Sequence, residues 1–448
     1  MELTIIDFTF IVVYFILLII IGFVVNKKES NEDFLISSRK LGLLSGISTI
    51  NASKTGAIIM AYTALVFLYG VSAVWYFIGT LLGYLIFIPF AIKLYKQSEM
   101  KQYTLAEYFY KNYGKVTGNI SNLLTIIIML GFLIINLTAA ATVFEFFTNI
   151  SLLISAIIIL SAILLYIILR GFKAVVKTDL VQYIAILGIL IIIPIALLNL
   201  GNETLNLNIN LFEIGAKNLF GFLLLGFLFP FASPELWQRL YALPNTKTLK
   251  KSILYSSLVY FIFGSLLTYI ALLIRDTLPN IDPNIAFVNG LTQMLPAGLI
   301  GLTVVLLISA FMSSIDTYLY TASSAFVQNF MKEKNKDYIK KKIRITIFVF
   351  GIIGLILTIL ISNLVDSVYL TAFVVVLAIP TIITWIKPKI DNVILKFGFI
   401  IGMVVVLSLL PFEFLKETVD PGIILKGIGA TLFGLFIGWL YSILKRKN

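Results

Sequence analysis

Neither cysteine nor histidine occurs anywhere in the 448-residue chain. Without cysteine there is no disulfide, thiolate metal site or thiol chemistry. Without histidine no imidazole can relay a proton or bind a metal. Charge is also scarce. Asp, Glu, Lys and Arg make up 12% of the residues, about half the ~25% usual in a soluble domain. No GxxxxGK[ST] phosphate loop is present, which argues against an ATP-driven pump within the chain. The common pairings of nucleophile and base are missing too, so the residues do not read as an enzyme or a nucleotide binder. No Pro-, Gly- or Ser-rich linker divides the chain, and it reads as a single membrane domain.

What remains is largely hydrocarbon, with 60% of the residues hydrophobic. A spanning helix needs about 20 apolar residues. Thirteen such runs are predicted, at 5–25, 42–68, 72–95, 118–147, 151–169, 178–200, 217–240, 252–274, 295–330, 344–362, 367–386, 393–411 and 422–443. They are numbered spans 1 to 13. The first lacks a basic flank and a small-residue cleavage site and reads as a retained span, not a signal peptide. Basic residues fall on alternate loops: Lys27 to Lys40, Lys93 to Lys115, Arg170 to Lys177, Arg239 to Lys251, Lys332 to Arg344, Lys387 to Lys396, and Lys445 to Lys447. The opposite loops hold only Lys217, Arg275, Lys416 and Lys426. The positive-inside rule then puts the N-terminus outside and the C-terminus in the cytoplasm of a plasma membrane. The net charge of +12 is explained by loops facing anionic lipid, with no nucleic acid required.

Two polar runs interrupt this hydrocarbon. Asn51-Ala52-Ser53-Lys54-Thr55-Gly56 lies in span 2, and Ser313-Ser314-Ile315-Asp316-Thr317 lies in span 9. Polar groups at that depth line a cavity, pair, or hold an ion. Small hydroxyl residues also assist helix packing, but Asn, Lys and Gly in the same six residues go beyond that. Ser313 and Asp316 are three apart, as are Ser314 and Thr317, so each pair shares a helix face. A carboxylate among hydroxyls suits a hard cation. Lys54 alone is a basic residue in the body of a span. Span 7 is interrupted by Pro230 and Pro234, each of which removes a backbone donor. Glu235, Trp237 and Gln238 follow the break, and Asn136 and Thr138 in span 4 are further polar candidates. Asp179, at the start of span 6, reads from local pattern as a carboxylate favoured by the helix N-terminus.

Broken helices in matching positions are how transporters with inverted repeats present their sites. Spans 2–6 (42–200) and 7–11 (217–386) are predicted to be two five-helix repeats. Residues 1–41 form an added first helix and loop, and 393–448 two accessory helices.

Several segments together resemble the sodium/solute symporter family, which includes sodium-coupled sugar, proline, pantothenate and sialic acid carriers. They are Asp33 to Arg39, the Tyr103-Thr104-Leu105-Ala106-Glu107-Tyr108 segment, Gly171 to Gln182, Gln238-Arg239, and Ala310 to Leu319. The resemblance implies the all-helical leucine-transporter fold, with a 5+5 inverted repeat and alternating access. It implies a sodium ion held by the carbonyls of Asn51, Lys54 and Ala310 and the hydroxyls of Ser313 and Ser314. A second cation site would use Asp179, Asp316 and Thr317. Solute would contact Ser53, Thr55 and Asn136, with Ser233 and Glu235 from span 7. Lys54 departs from the family, where an apolar residue is usual. Its ammonium is expected to act as a charge switch, standing in for an ion or gripping a carboxylate. The expected function is sodium-coupled symport of a small organic solute such as an amino acid or carboxylate. Proton-coupled or uncoupled transport through Lys54 is the second reading, and a non-transporting membrane sensor of the same fold is the third.

Overall fold

In a bilayer only structures that satisfy their own backbone groups can span, so long apolar runs must fold as helices. The computed structural model describes residues 9, 12–14, 16, 30–98, 102–197, 209–295, 299–331, 336–416 and 420–447. Among these residues the regular structure is helical, with no strand. Nine helices among them are long and apolar enough to cross a membrane. Most of the predicted span 1 lies outside the described residues.

Each later span meets a helix or a pair of helices. Span 2 is split into Leu43–Ala52 and Ile58–Tyr69, and span 3 is Trp75–Gln97. Span 4 starts earlier than predicted, as Leu105–Thr148, with a turn at Gly114 where φ is +82°. Its start is fixed by a capping box. The Thr104 hydroxyl accepts from the Glu107 N–H, and the Glu107 carboxylate accepts from the Tyr103 and Thr104 N–H groups. Spans 5 and 6 share Leu152–Leu197, broken only at Gly171, where φ is +63°. A β-carbon at Gly171 would also strike the Phe34 ring, so both the backbone angle and the packing ask for glycine.

Span 7 is split into Gly215–Leu228 and Pro234–Tyr241 around a short 3-10 turn, Phe229–Phe231. Thr246–Thr277 and Leu299–Ala325 are spans 8 and 9. Between them lies a short helix, Ala286–Met294, that hydropathy did not single out. Lys336–Leu360, Phe373–Ile386, Asn392–Glu413 and Gly422–Lys447 complete the bundle.

Small residues set how closely the spans approach, because packing drives association once both faces are apolar. Gly79 and Gly83 of span 3 lie against the backbone of Leu223 and Phe227, and Gly226 lies against Tyr76. Span 3 is therefore pressed onto the first half of span 7, Gly215–Leu228, next to the break. Spans 12 and 13 close in the same way, with Gly434 and Gly438 against Phe397 and Ile394. The polar runs of spans 2 and 9 end up deep in the bundle: Asn51, Ser53, Thr55, Ser313, Ser314, Asp316 and Thr317 are all buried.

Candidate functional site

A helix that stops inside a membrane leaves unpaired carbonyls on one side and unpaired N–H groups on the other. Neighbouring spans satisfy those of span 2. The Ala52 carbonyl accepts from the Ser313 hydroxyl at 2.9 Å and from Ser314 at 3.3 Å. The Ser53 carbonyl accepts from the Tyr318 hydroxyl at 2.7 Å. On the far side, Gly56 N–H donates to Ser314 Oγ at 3.2 Å, and Ala57 N–H donates to Asn136 Oδ1 at 2.7 Å. The Ala310 carbonyl lies 2.8 Å from the same Ser313 hydroxyl, so the single O–H is shared between the Ala52 and Ala310 carbonyls. The Ala310 carbonyl, the Ser314 hydroxyl and the Asn136 amide oxygen thus converge on Gly56, with the Ala52 carbonyl and Ser313 hydroxyl bonded to the same group. Any β-carbon there would lie 2.5 Å from Ser314 Oγ and 2.8 Å from the Ala310 carbonyl. An oxygen-rich, buried cluster of this kind suits a hard monovalent cation.

The span-2 carbonyl in this cluster differs from the expected one. Asn51 was predicted to contribute its carbonyl, but that oxygen accepts from Lys54 N–H and from Thr55 Oγ1, both at 3.1 Å. The helix ends one residue later than the motif implied, and the Ala52 carbonyl faces span 9.

Where a second cation was expected among Asp179, Asp316 and Thr317, the structure places a guanidinium. Arg239 donates to Asp179 Oδ2 at 3.1 Å, to Thr317 Oγ1 at 2.7 Å, and to the carbonyl and hydroxyl of Thr49 at 3.0 and 2.8 Å. Thr49 in turn donates to Asp179 at 2.5 Å. Arg239 and Asp179 are 1% and 0% exposed, so this is a buried ion pair tying spans 2, 6, 7 and 9 together. Asp179 is not a helix-start carboxylate, and Arg239 is not a loop residue. Burial was hidden from the sequence because Arg239 sits at the end of an apolar run, where the positive-inside pattern accounts for it. The Gln238-Arg239 pair of the family motif was the available signal. Asp316 is fully buried on the same helix as Thr317.

Lys54 goes elsewhere. Its ammonium lies 4.1 Å from the ring centroid of Tyr84 and 4.1 Å from that of Tyr260. It makes no hydrogen bond, so it is not joined to Ser313, Ser314, Asp179 or Asp316. Glu235, on the broken span 7, is the carboxylate whose charge favours this ammonium, without a direct ion pair to it. Lys54 is among the residues lining a cavity of about 100 Å³, together with Tyr62, Phe132, Asn136, Tyr318 and Asp420.

The other expected solute contacts are committed to the breaks themselves. Ser53 Oγ donates to the Ile50 carbonyl, Thr55 Oγ1 to that of Asn51, and Ser233 Oγ to that of Phe229. Asn136 lines the cavity while also donating to the Phe132 carbonyl. Sequence reading missed Tyr84, Tyr260 and Tyr318. Aromatics in apolar spans carry no local mark that sets a cage apart from ordinary packing.

Residues 34–395 match the model of the sodium:solute symporter family. The osmoregulated proline transporter OpuE of Bacillus subtilis is 24% identical over 376 residues, 77% of this chain and 76% of that protein. A sodium/proline symporter of Staphylococcus aureus is 26% identical over 383 residues, 77% and 73% of the two chains. Among solved structures, a substrate-bound, outward-open sodium-coupled sialic acid symporter aligns with a TM-score of 0.75 at 15% identity, covering 98% of both chains. The nucleobase-cation-symport-1 transporter Mhp1 aligns at 0.57 and 12%, covering 92% and 95%. The fold is the leucine-transporter type.

Proposed function

The chain belongs to the sodium:solute symporter family, and we propose that it imports a small amino acid or carboxylate by alternating access, driven by one sodium ion. It is a multi-pass membrane protein with sodium as its coupling ion. The observation that carries the site is the convergence of the Ala52 and Ala310 carbonyls with the Ser313 and Ser314 hydroxyls at the span-2 break. Sodium there would replace hydrogen bonds that now hold the two helices together. A further carbonyl from the unwound 53–56 segment, Lys54's being the expected one, would complete its shell. Ion binding would order the break that forms one wall of the solute cavity, and by linkage solute would raise ion affinity equally.

A single ion is favoured because the Arg239 guanidinium already bonds Asp179 and Thr317. Proton coupling through Lys54 in place of sodium is disfavoured, because the ammonium sits on tyrosine faces away from the hydroxyl cluster. Proline is the first solute to try, since relatives at 24–26% identity are named for it. Spans 2–6 and 7–11 act as the two inverted repeats of this reading. The expected setting is the plasma membrane, with the N-terminus outside.

Thermal stability of the purified protein at fixed ionic strength tests the coupling ion. Sodium should stabilise it over potassium and choline by mass action on the folded state, and Ser313→Ala should remove the difference. Proteoliposomes with an inward sodium gradient should then accumulate labelled proline or a related carboxylate. Equal stability in all three cations would overturn sodium coupling.

A further inference from the structure

The Lys54 side chain is placed as a ligand would be. Its ammonium is sandwiched between two ring faces at equal distance, has no hydrogen-bond partner, and is favoured by the charge of a buried carboxylate, Glu235, without a direct ion pair to it. Lys54, Tyr84, Tyr260 and Glu235 are 6%, 1%, 3% and 2% exposed. Faces of aromatic rings around a desolvated cation are how proteins recognise free ammonium compounds. The four residues come from three spans and one helix break: Tyr84 from span 3, Tyr260 from span 8, Glu235 from the second half of span 7, and Lys54 from the unwound segment of span 2.

We propose that the facing rings of Tyr84 and Tyr260 form a binding site for a primary alkylammonium group, and that Lys54 fills this site with its own side chain. This goes beyond the transport reading and does not depend on which ion drives the carrier. Two consequences follow for the adjoining cavity. A cationic group of a solute finds its cage taken and meets a like charge. A carboxylate finds among the lining residues a lysine whose ammonium has no hydrogen-bond partner. The tethered ammonium therefore steers the site towards solutes that carry a carboxylate, and it excludes organic cations that lack one.

Lys54→Ala removes three methylenes and the ammonium, which together are n-propylammonium. The test is thermal melting of purified wild type, Lys54→Ala and Lys54→Met, each titrated with n-propylammonium, and with n-propanol as the neutral control. Lys54→Ala should gain a saturable rise of roughly 2–5 °C at a hundredfold excess over Kd. Wild type should not respond, because its cage is full. Lys54→Met should not respond either, because its uncharged side chain fills the same space. Equal shifts in all three proteins, or an equal response of Lys54→Ala to n-propanol, would overturn the proposal. If Lys54→Ala is recovered only as aggregate, n-propylammonium during extraction should restore a monodisperse protein. Failure to restore it, while Lys54→Met is recovered, would also overturn the proposal. Sodium titrations of the same samples report on the coupling site, so loss of one reading leaves the other standing.

Discussion

Gly56→Ala perturbs the proposed ion site by the smallest change available. The new methyl would sit inside van der Waals contact of Asn136 Oδ1, 2.5 Å from Ser314 Oγ and 2.8 Å from the Ala310 carbonyl. Ordinary C···O contacts are about 3.3–3.6 Å, so three oxygens must retreat at once. The Ala310 oxygen is backbone within a helix. The Asn136 amide is held by the Ala57 N–H at 2.7 Å and the Phe132 carbonyl at 2.8 Å. The segment carrying residue 56 must therefore move, and the Gly56 and Ala57 N–H groups lose their partners. A buried donor left unpaired costs about 1–3 kcal/mol, so two cost about 2–6 kcal/mol. At 1.4 kcal/mol per factor of ten, the ion-competent arrangement falls at least ~30-fold, and apparent sodium affinity falls with it. Sodium titration of thermal stability reads this directly. Gly429→Ala is the matched control, because nothing lies within 4 Å of a β-carbon there. A Gly56→Ala protein with wild-type sodium affinity would refute the placement of the ion at this break.

Other perturbations separate the neighbouring parts. Arg239→Ala or Asp179→Asn should each destabilise by about 3–5 kcal/mol, because one buried charge loses its partner. The double change should cost less than the sum of the two, as melting of all four proteins would show. Arg239→Lys should fail to restore stability, since one ammonium cannot reach Asp179, Thr317 and Thr49 together as the guanidinium does. Beside the cavity, Lys217 donates to both oxygens of the lining residue Asp420 at 3.2 and 3.0 Å, but the lysine is exposed. Lys217→Ala should cost at most about 1 kcal/mol and matter less at high salt. Burial raises the Asp420 carboxyl, but the Gly422 N–H and Lys217 outweigh it and hold the group below the usual aspartate range. Its stabilisation is therefore full above an unfolded value of about 3.9. It is lost as pH falls through the lower folded value, and Asp420→Asn should remove that step from the acid melting profile.

The span pattern was legible because the bilayer admits so few solutions. Hydropathy placed helices where the structure has them, and Pro230, Pro234 and the Asn51–Gly56 run marked the two breaks. Ser313 and Ser314 were legible as a polar run in span 9, whereas the capping box at Thr104 and Glu107, and with it the early start of span 4, was not read from the sequence. The short Ala286–Met294 helix escaped because its apolar residues are too few for a hydropathy window. Arg239 escaped because a basic residue at the end of a span is what topology already predicts. The sequence by itself determined the class of protein, the helices, their breaks and the absence of thiol and imidazole chemistry, since these depend on local hydrocarbon content and residue type. Tertiary structure alone decided which carbonyl faces span 9, that Arg239 meets Asp179, and that Lys54 turns to Tyr84 and Tyr260. Each of those outcomes depends on side chains from spans far apart in the chain. Which partner a buried polar group finds is fixed only when the helices pack.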